Sequence, residues 1–245
     1  MQPRRRAPAA RWLAAAVATL LAAGCAPQSV TEEGRAVYNL YNLFLYIAAV
    51  VFVVVSGLVI WSVVRYRRRD DQLPKQTHGN NRLELTWTLI PTVIVLILFV
   101  FTLQAQDKVL DQSGQADVNV TVTAFQWSWR FAYEGTGAEV LGTPEHIPEM
   151  VVPVGRRVRV KLVSADVVHS FYVPQTLFKR QAIPGTDNEF DLTFEKVGLY
   201  HGQCTQFCGL QHPDMIFRVR VVSQGEYQSW LAAATRRGQA GQPGT

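Results

Sequence analysis

The chain is sparing with the residues that usually carry a cofactor. Its 245 residues include only three cysteines, three methionines and five histidines. No C-x-x-C-H stretch occurs, which excludes a haem attached in that way. The long apolar runs hold too few histidines to fix a haem by axial ligation. No nucleophile stands with a recognisable base, so nothing points to a bond-making site. A basic nucleic-acid surface is missing as well, although the whole chain carries +5. Between Asp107 and Glu226 there are 14 acidic and 11 basic residues, a net of −3. The positive excess sits instead at the N-terminus, in one short loop and near the C-terminus, so the high isoelectric point does not indicate nucleic acid.

What is present is unevenly placed. Hydrophobic residues make up 48% of the chain, and three apolar blocks crowd the first 105 residues. Residues 1–25 combine a basic start (Arg4, Arg5, Arg6, Arg11) with an apolar run from Trp12 to Ala23. That is the pattern of an export signal, too short to span a bilayer. It ends in Ala22-Ala23-Gly24-Cys25, the form of a bacterial lipoprotein processing site, with Cys25 the residue to be lipidated. An ordinary signal cleaved nearby, or an uncleaved anchor, are the other readings. Leu43 to Val64 is an apolar run of roughly 33 Å as a helix, enough to cross the hydrocarbon core. Arg65, Arg67, Arg68 and Arg69 follow it and mark the cytoplasmic side. A second span is expected from Leu85 to about Leu103, with Pro91 in its first turns and Trp87 at the interface. Residues 40–106 thus read as a two-helix transmembrane hairpin with both ends outside.

From Asp107 the period changes to two. Val118, Val120 and Val122 alternate with polar residues, as do Phe125, Trp127, Trp129, Phe131 and Tyr133. Val158, Val160 and Leu162 repeat the pattern, and so do Phe217, Val219 and Val221. Short alternating runs broken by Gly and Pro predict an all-β sandwich or barrel over residues 107–222. Ser223 and Glu226 then form a capping box, predicting a helix over 223–236. The tail, 237–245, reads as disordered.

The chemistry concentrates in Tyr200 to Met215, YHGQCTQFCGLQHPDM, with the spacing C-x3-C-x3-H-x2-M. Cys204, Cys208, His212 and Met215 are soft or borderline ligands, a mixture that suits copper. His169, in DVVHSFYVP, is the candidate second histidine. Two thiolates four residues apart could both bridge two copper ions, with one histidine closing each. Met215 and the backbone carbonyl of Gln206 would be weak axial ligands. A Cys204–Cys208 disulfide is an alternative for an exported protein, but it leaves the His and Met spacing unexplained. Zinc would accept the cysteines and histidines, yet it prefers other spacings and has no use for the methionine. His78, His146 and His201 are not assigned as ligands.

In these residues, and over roughly residues 40–222, the chain resembles cytochrome c oxidase subunit II, the subunit with a dinuclear copper centre called CuA. The resemblance implies a two-helix hairpin in the bacterial plasma membrane, with the copper domain on the periplasmic side. A cupredoxin-like Greek-key sandwich then fits both the strand count and a ligand loop between two late strands. Partners implied are a haem-bearing subunit I, a subunit III and cytochrome c as donor. Trp127 matches the tryptophan at which the family accepts the electron, although aromatics alternating along a strand are usually packing; Trp129 reads as structural. Asp166 matches an acid that faces the cytochrome. A further family docking acid is replaced by Ala132, with Glu134 close by. Glu84, three residues before Trp87, matches a glutamate at the mouth of a proton pathway; a solvated carboxylate at a helix start is the plain alternative. The family usually has glutamate where this chain has Gln206, and there it also binds magnesium. A neutral amide is a poor ligand for that ion, so magnesium is in doubt.

The expected function is therefore electron transfer from cytochrome c, through CuA, to haem in subunit I, where oxygen is reduced to water and protons are pumped. The CuA subunit of a nitric oxide reductase is the first alternative. A membrane-tethered copper carrier or assembly protein is the second, though one helix would suffice for tethering. Quinol-oxidising subunits share the fold but lack the copper ligands.

Overall fold

The computed structural model describes residues 28–68, 76, 78–143 and 146–240. The export signal with Cys25, Arg69 and the last five residues lie outside that set.

Helix α1, Glu32–Arg65, starts eleven residues before the expected apolar run. The early start follows from its cap. The Thr31 hydroxyl accepts the Gly34 N–H at 3.2 Å, and Glu32 and Glu33 lie in the first turn, where the helix dipole favours negative charge. Helix α2, Asn81–Leu110, also starts earlier than expected. Its cap, Asn80, accepts from the N–H groups of Arg82 and Leu83, and Glu84 accepts the Asn80 N–H in return. Pro91 therefore lies inside the helix and not in its first turns. At 34 and 30 residues, the helices measure about 51 and 45 Å, longer than a hydrocarbon core needs. Large apolar side chains such as Phe52, Trp61, Ile90 and Phe99 are exposed along them. Apolar helices left uncovered in this way suit a lipid solvent.

The β domain is two five-stranded sheets packed face to face. One has the order β3-β2-β1-β5-β8, the other β4-β10-β9-β6-β7. The first is built from β1 (Val118–Phe125), β2 (Ser128–Tyr133), β3 (Ala138–Leu141), β5 (Arg157–Ser164) and β8 (Asn188–Thr193). The second is built from β4 (Glu149–Pro153), β6 (His169–Val173), β7 (Phe178–Ala182), β9 (Gly198–Cys204) and β10 (Ile216–Val222). Pairing is parallel for β1 with β5 and for β4 with β10, and antiparallel elsewhere. Alternation works as expected on β1, β5 and β10, whose Val118, Val120, Val122, Val158, Val160, Leu162, Phe217, Val219 and Val221 are all buried. It misleads at Phe125–Tyr133. That run is a hairpin, with Phe125 paired to Ser128 and Gln126–Trp127 at its tip. A two-residue turn without Gly or Asn preserves the alternation and so is invisible to it.

The C-terminal helix α3, Gln224–Gln239, is capped by Ser223, whose hydroxyl accepts the Glu226 N–H at 3.3 Å. It runs past the expected end at Arg236, so residues 237–239 are helical. At the other side of the domain, α1 is tied to the sandwich. Val30 donates to Gln175, Glu195 donates to Val30, and Glu33 accepts the Thr193 N–H at 3.0 Å. Gly34 passes so close to Thr176 that a Cβ would lie 2.1 Å from its carbonyl oxygen. The hairpin and the β domain therefore meet through hydrogen-bonded backbone.

Candidate metal centre

One end of the second sheet gathers the sulfur and imidazole groups. His169 opens β6 and Cys204 closes β9, two strands paired at Phe171 and Cys204. The chain then loops out through Cys208 and a 3-10 turn, His212–Asp214, and returns at Met215 to start β10. The Cys204 N–H donates to the Met215 carbonyl at 2.9 Å and closes that loop.

His169, Cys204 and Cys208 form a candidate metal-binding site, their ligand atoms lying within 4.8 Å of one another. Both cysteines are free and buried, with sulfurs 3.9 Å apart. One ion could touch both at a metal–thiolate length of about 2.3 Å. His169 Nδ1 is 3.9 Å from the Cys204 sulfur, and His212 Nδ1 is 3.4 Å from that of Cys208. The buried Met215 thioether is 3.7 Å from Cys208, and the Gln206 carbonyl is 3.2 Å from Cys204. The structure thus brings together the six residues singled out as ligands. Two thiols, two imidazoles, a thioether and a carbonyl are a soft donor set, which fits copper and leaves zinc with an unused methionine.

The surroundings prepare these donors. His169 is fully buried, and its Nε2 lies 2.7 Å from Asp166 Oδ1. A carboxylate only accepts, so Nε2 carries a proton, and Nδ1 faces the sulfur, where it can take the thiol proton when Cys204 ionises. Asp166 also accepts the N–H groups of Gln126 and Val167. Burial would raise its pKa, but the His169 bond and those backbone donors hold it below the usual carboxylate range. Burial likewise works against a low pKa at Cys204, yet hydrogen bonds led by that with His169 bring it down to about 7. Cys208 is pushed up to about 12, by burial first and then by the charge of its neighbour. The pair therefore holds one thiolate readily and resists a second until a cation arrives. Behind His169 stands Trp129, fully buried, its ring 6.4 Å from the imidazole and 5.0 Å from Phe217. That is the structural place expected for Trp129.

Trp127 sits at the tip of the β1–β2 hairpin, and its indole N–H donates to the Cys208 carbonyl at 3.2 Å. Gln126 donates to the same oxygen at 2.6 Å. Gly209 permits this approach: its φ is +118°, and a Cβ would meet Gln126 and Trp127 at 3.0 and 3.2 Å. The sequence reading missed Gln126, and also Phe207 and Leu210, which are 77% and 90% exposed beside the ligands. Large apolar residues in a loop without periodicity were the available signal. The Gln206 side-chain oxygen accepts from Gln181 at 3.4 Å. That neutral pair offers no charge to magnesium and does not fit it. Glu84 is exposed in the first turn of α2, where it helps cap the helix. His201 is exposed on β9 and His78 precedes α2, both away from this donor set.

A family model described as the transmembrane domain of cytochrome C oxidase subunit II matches residues 24–105. Another, described as the periplasmic domain of the same subunit, matches residues 141–222. The chain is 34% identical to a probable cytochrome c oxidase subunit 2 of Streptomyces avermitilis, over 88% of this chain and 80% of that protein. It is 31% identical to cytochrome c oxidase subunit 2 of Mycobacterium bovis, over 84% of this chain and 73% of that protein. Among solved structures, the periplasmic domain of cytochrome oxidase subunit II from Bradyrhizobium japonicum is 36% identical. That match covers 51% of this chain and 97% of the other, with a TM-score of 0.47. The chain belongs to the cytochrome c oxidase subunit II family.

Proposed function

We propose that this chain is the electron-accepting subunit of a bacterial haem–copper oxidase and that its sulfur-rich site is CuA. The observation that carries this reading is the paired, buried thiols of Cys204 and Cys208, each with its own imidazole Nδ1 within 3.9 Å. Two bound copper ions would supply one-electron transfer with little rearrangement of their ligands. His169, Cys204, Cys208 and His212 would hold them strongly, Met215 and the Gln206 carbonyl weakly. Asp166 fixes the tautomer and aim of His169, and Trp129 closes water out behind it.

Trp127 is the electron-accepting residue in this reading. It is half-buried at the domain surface, and one hydrogen bond links it to the backbone of Cys208. Cytochrome c would dock over it, and the mildly acidic β domain would steer a basic donor. Asp166 contributes to that field, but its bonds to His169 and Gln126 make positioning its first task. The partners are a haem-bearing subunit I, where oxygen would be reduced to water with proton pumping, and a subunit III. Glu84 would stand at the cytoplasmic mouth of a proton path, with the β domain on the periplasmic side.

The test is copper stoichiometry and electron paramagnetic resonance of the full chain in detergent. Two coppers per chain, with hyperfine structure from one electron shared over both nuclei, is the expected result. One copper with a localised spin would reject CuA and turn the reading towards a copper carrier.

A further inference from the structure

The hairpin and the β domain enclose a cleft of about 490 Å³ that the metal site does not use. On the helix side its walls are apolar: Val37 and Leu40 of α1, Ala105 and Val109 of α2. Strand β7 adds Lys179 and Arg180, and no acidic residue lines the cleft. Among the described residues, neither cation has a carboxylate partner. The Arg180 Nε is buried without a hydrogen-bond partner, and the guanidinium lies 5.1 Å from the centre of the Phe178 ring. Burial pushes the Arg180 pKa down, as expected for a cation held without a counter-charge. Arginine nonetheless stays charged. A half-buried cation without a counter-charge gains from one, so an anion in this cleft would be favoured.

Depth identifies which anion. The apolar run of α2 ends near Leu103, and that of α1 begins at Leu43. At 1.5 Å per residue, Ala105 and Val109 stand about 3 and 9 Å beyond the run's end. The headgroup layer occupies roughly 5–7 Å on each side of the hydrocarbon core. The cleft therefore lies at headgroup level, with its apolar walls leading down along the helices.

We propose that this cleft binds one anionic phospholipid, its phosphate at the Arg180 guanidinium, with the exposed Lys179 on the other face of the edge strand at the rim, and an acyl chain along Leu40 and Ala105. The proposal rests on the hairpin spanning a membrane and is independent of what the cysteines bind. A zwitterionic lipid would return a cation to the same place, so charge selects phosphatidylglycerol over phosphatidylcholine.

The test titrates the full chain in neutral detergent micelles with each lipid, followed by native mass spectrometry. One tightly held phosphatidylglycerol is expected. The double variant Lys179→Gln, Arg180→Gln should bind it about twenty-five-fold more weakly, at roughly five-fold for each cation that faces the lipid anion. Arg180→Lys should keep most of the affinity, Arg156→Gln all of it, and an unchanged thermal unfolding transition would show that each variant is folded. Equal binding by wild type and double variant would overturn the proposal. So would phosphatidylcholine binding as tightly, or displacement of the lipid by millimolar inorganic phosphate, which would mark a free-anion site. Loss of co-purifying oxidase subunits from the double variant, with lipid binding unchanged, would give the cations to a protein interface. Carbonate extraction of the chain from cell membranes would overturn the spanning hairpin itself, and the lipid site with it.

Discussion

The two halves of the sulfur pair are built differently. Cys204 ends a strand and His169 begins one, so both stand on a hydrogen-bonded ladder. His169 is fully buried, with Asp166 on one nitrogen and Trp129 beside the ring. Cys208 and His212 stand on the loop between β9 and β10. His212 is only partly buried, its ring neighbour is the exposed Phe207, and its Nε2 has no protein partner among the described residues. The Cys208 backbone is pinned instead, by Gln126 and Trp127 through its carbonyl. One half is thus preset by the sheet. The other is held by its main chain, and its imidazole is free to settle against a metal.

The severest way to break this comparison is to remove a sulfur. If both thiolates bridge, the two halves stand or fall together. Cys204→Ser and Cys208→Ser should each abolish the shared-spin spectrum and leave at most one copper per chain. A Cys208→Ser variant that keeps two coppers would reduce the loop half to a bystander.

Next come the histidines, where the halves should separate. His169→Ala opens a hole among Trp129, Phe171 and Cys204. It should lower the stability of the apoprotein by about 2–3 kcal/mol, the scale of large-to-small core changes. His212→Ala removes a partly exposed ring and should cost under about 0.5 kcal/mol. Both should lose the shared-spin spectrum. Added imidazole should restore it to His212→Ala, whose site opens to solvent, and not to His169→Ala. Equal rescue of both, or equal thermal destabilisation, would contradict a preset half.

A finer cut leaves the ligands in place. Asp166→Asn keeps the size of the side chain but can present its amide N–H₂ to His169. Outer-shell partners of this kind are worth about 10–100-fold in metal affinity, and copper retention against a chelator should fall by that much. Asp214→Asn, in the 3-10 turn beside His212, touches neither imidazole and should change nothing. A cytochrome-binding defect in Asp166→Asn with normal copper retention would give Asp166 the docking role alone. Trp127→Phe acts further out. It loses the bond to the Cys208 carbonyl, so the rate of electron uptake from cytochrome c should fall while copper content and spectrum stay as in wild type.

How much of this could be read from the chain follows from which interactions are local. The ligand loop was legible because five of its residues lie within twelve positions, Cys204 to Met215, so spacing alone names the chemistry. His169 was legible only as the second histidine that such a site needs, since 35 positions separate it from Cys204. The spans were legible as apolar runs, but their true starts were not, because Thr31 and Asn80 cap the helices well outside those runs. The Gln126–Trp127 hairpin was hidden because a two-residue turn conserves a period of two. The roles of Gln126 and Asp166 were hidden for another reason. Each bonds across the fold, Gln126 to Cys208 over 82 positions and Asp166 to Gln126 over 40, with atoms that no pattern singles out.

The smallest expected effect separates backbone from side chain at Gln206. Only its carbonyl faces the sulfur pair, 3.2 Å from Cys204, while its amide turns away to Gln181. Gln206→Glu should therefore leave copper stoichiometry and the spectrum unchanged. What it adds is a carboxylate where a hard cation could bind, and the Gln181 amide keeps an acceptor there, now a charged one. Magnesium or manganese retained by Gln206→Glu in the assembled oxidase, and not by the wild type, would show that one neutral residue sets the difference. A spectral change in Gln206→Glu would instead mean that the loop half is sensitive to side chains beyond its ligands. The contrast between a preset half and a main-chain-held half would then have to be redrawn around the Cys204–Gln206 turn.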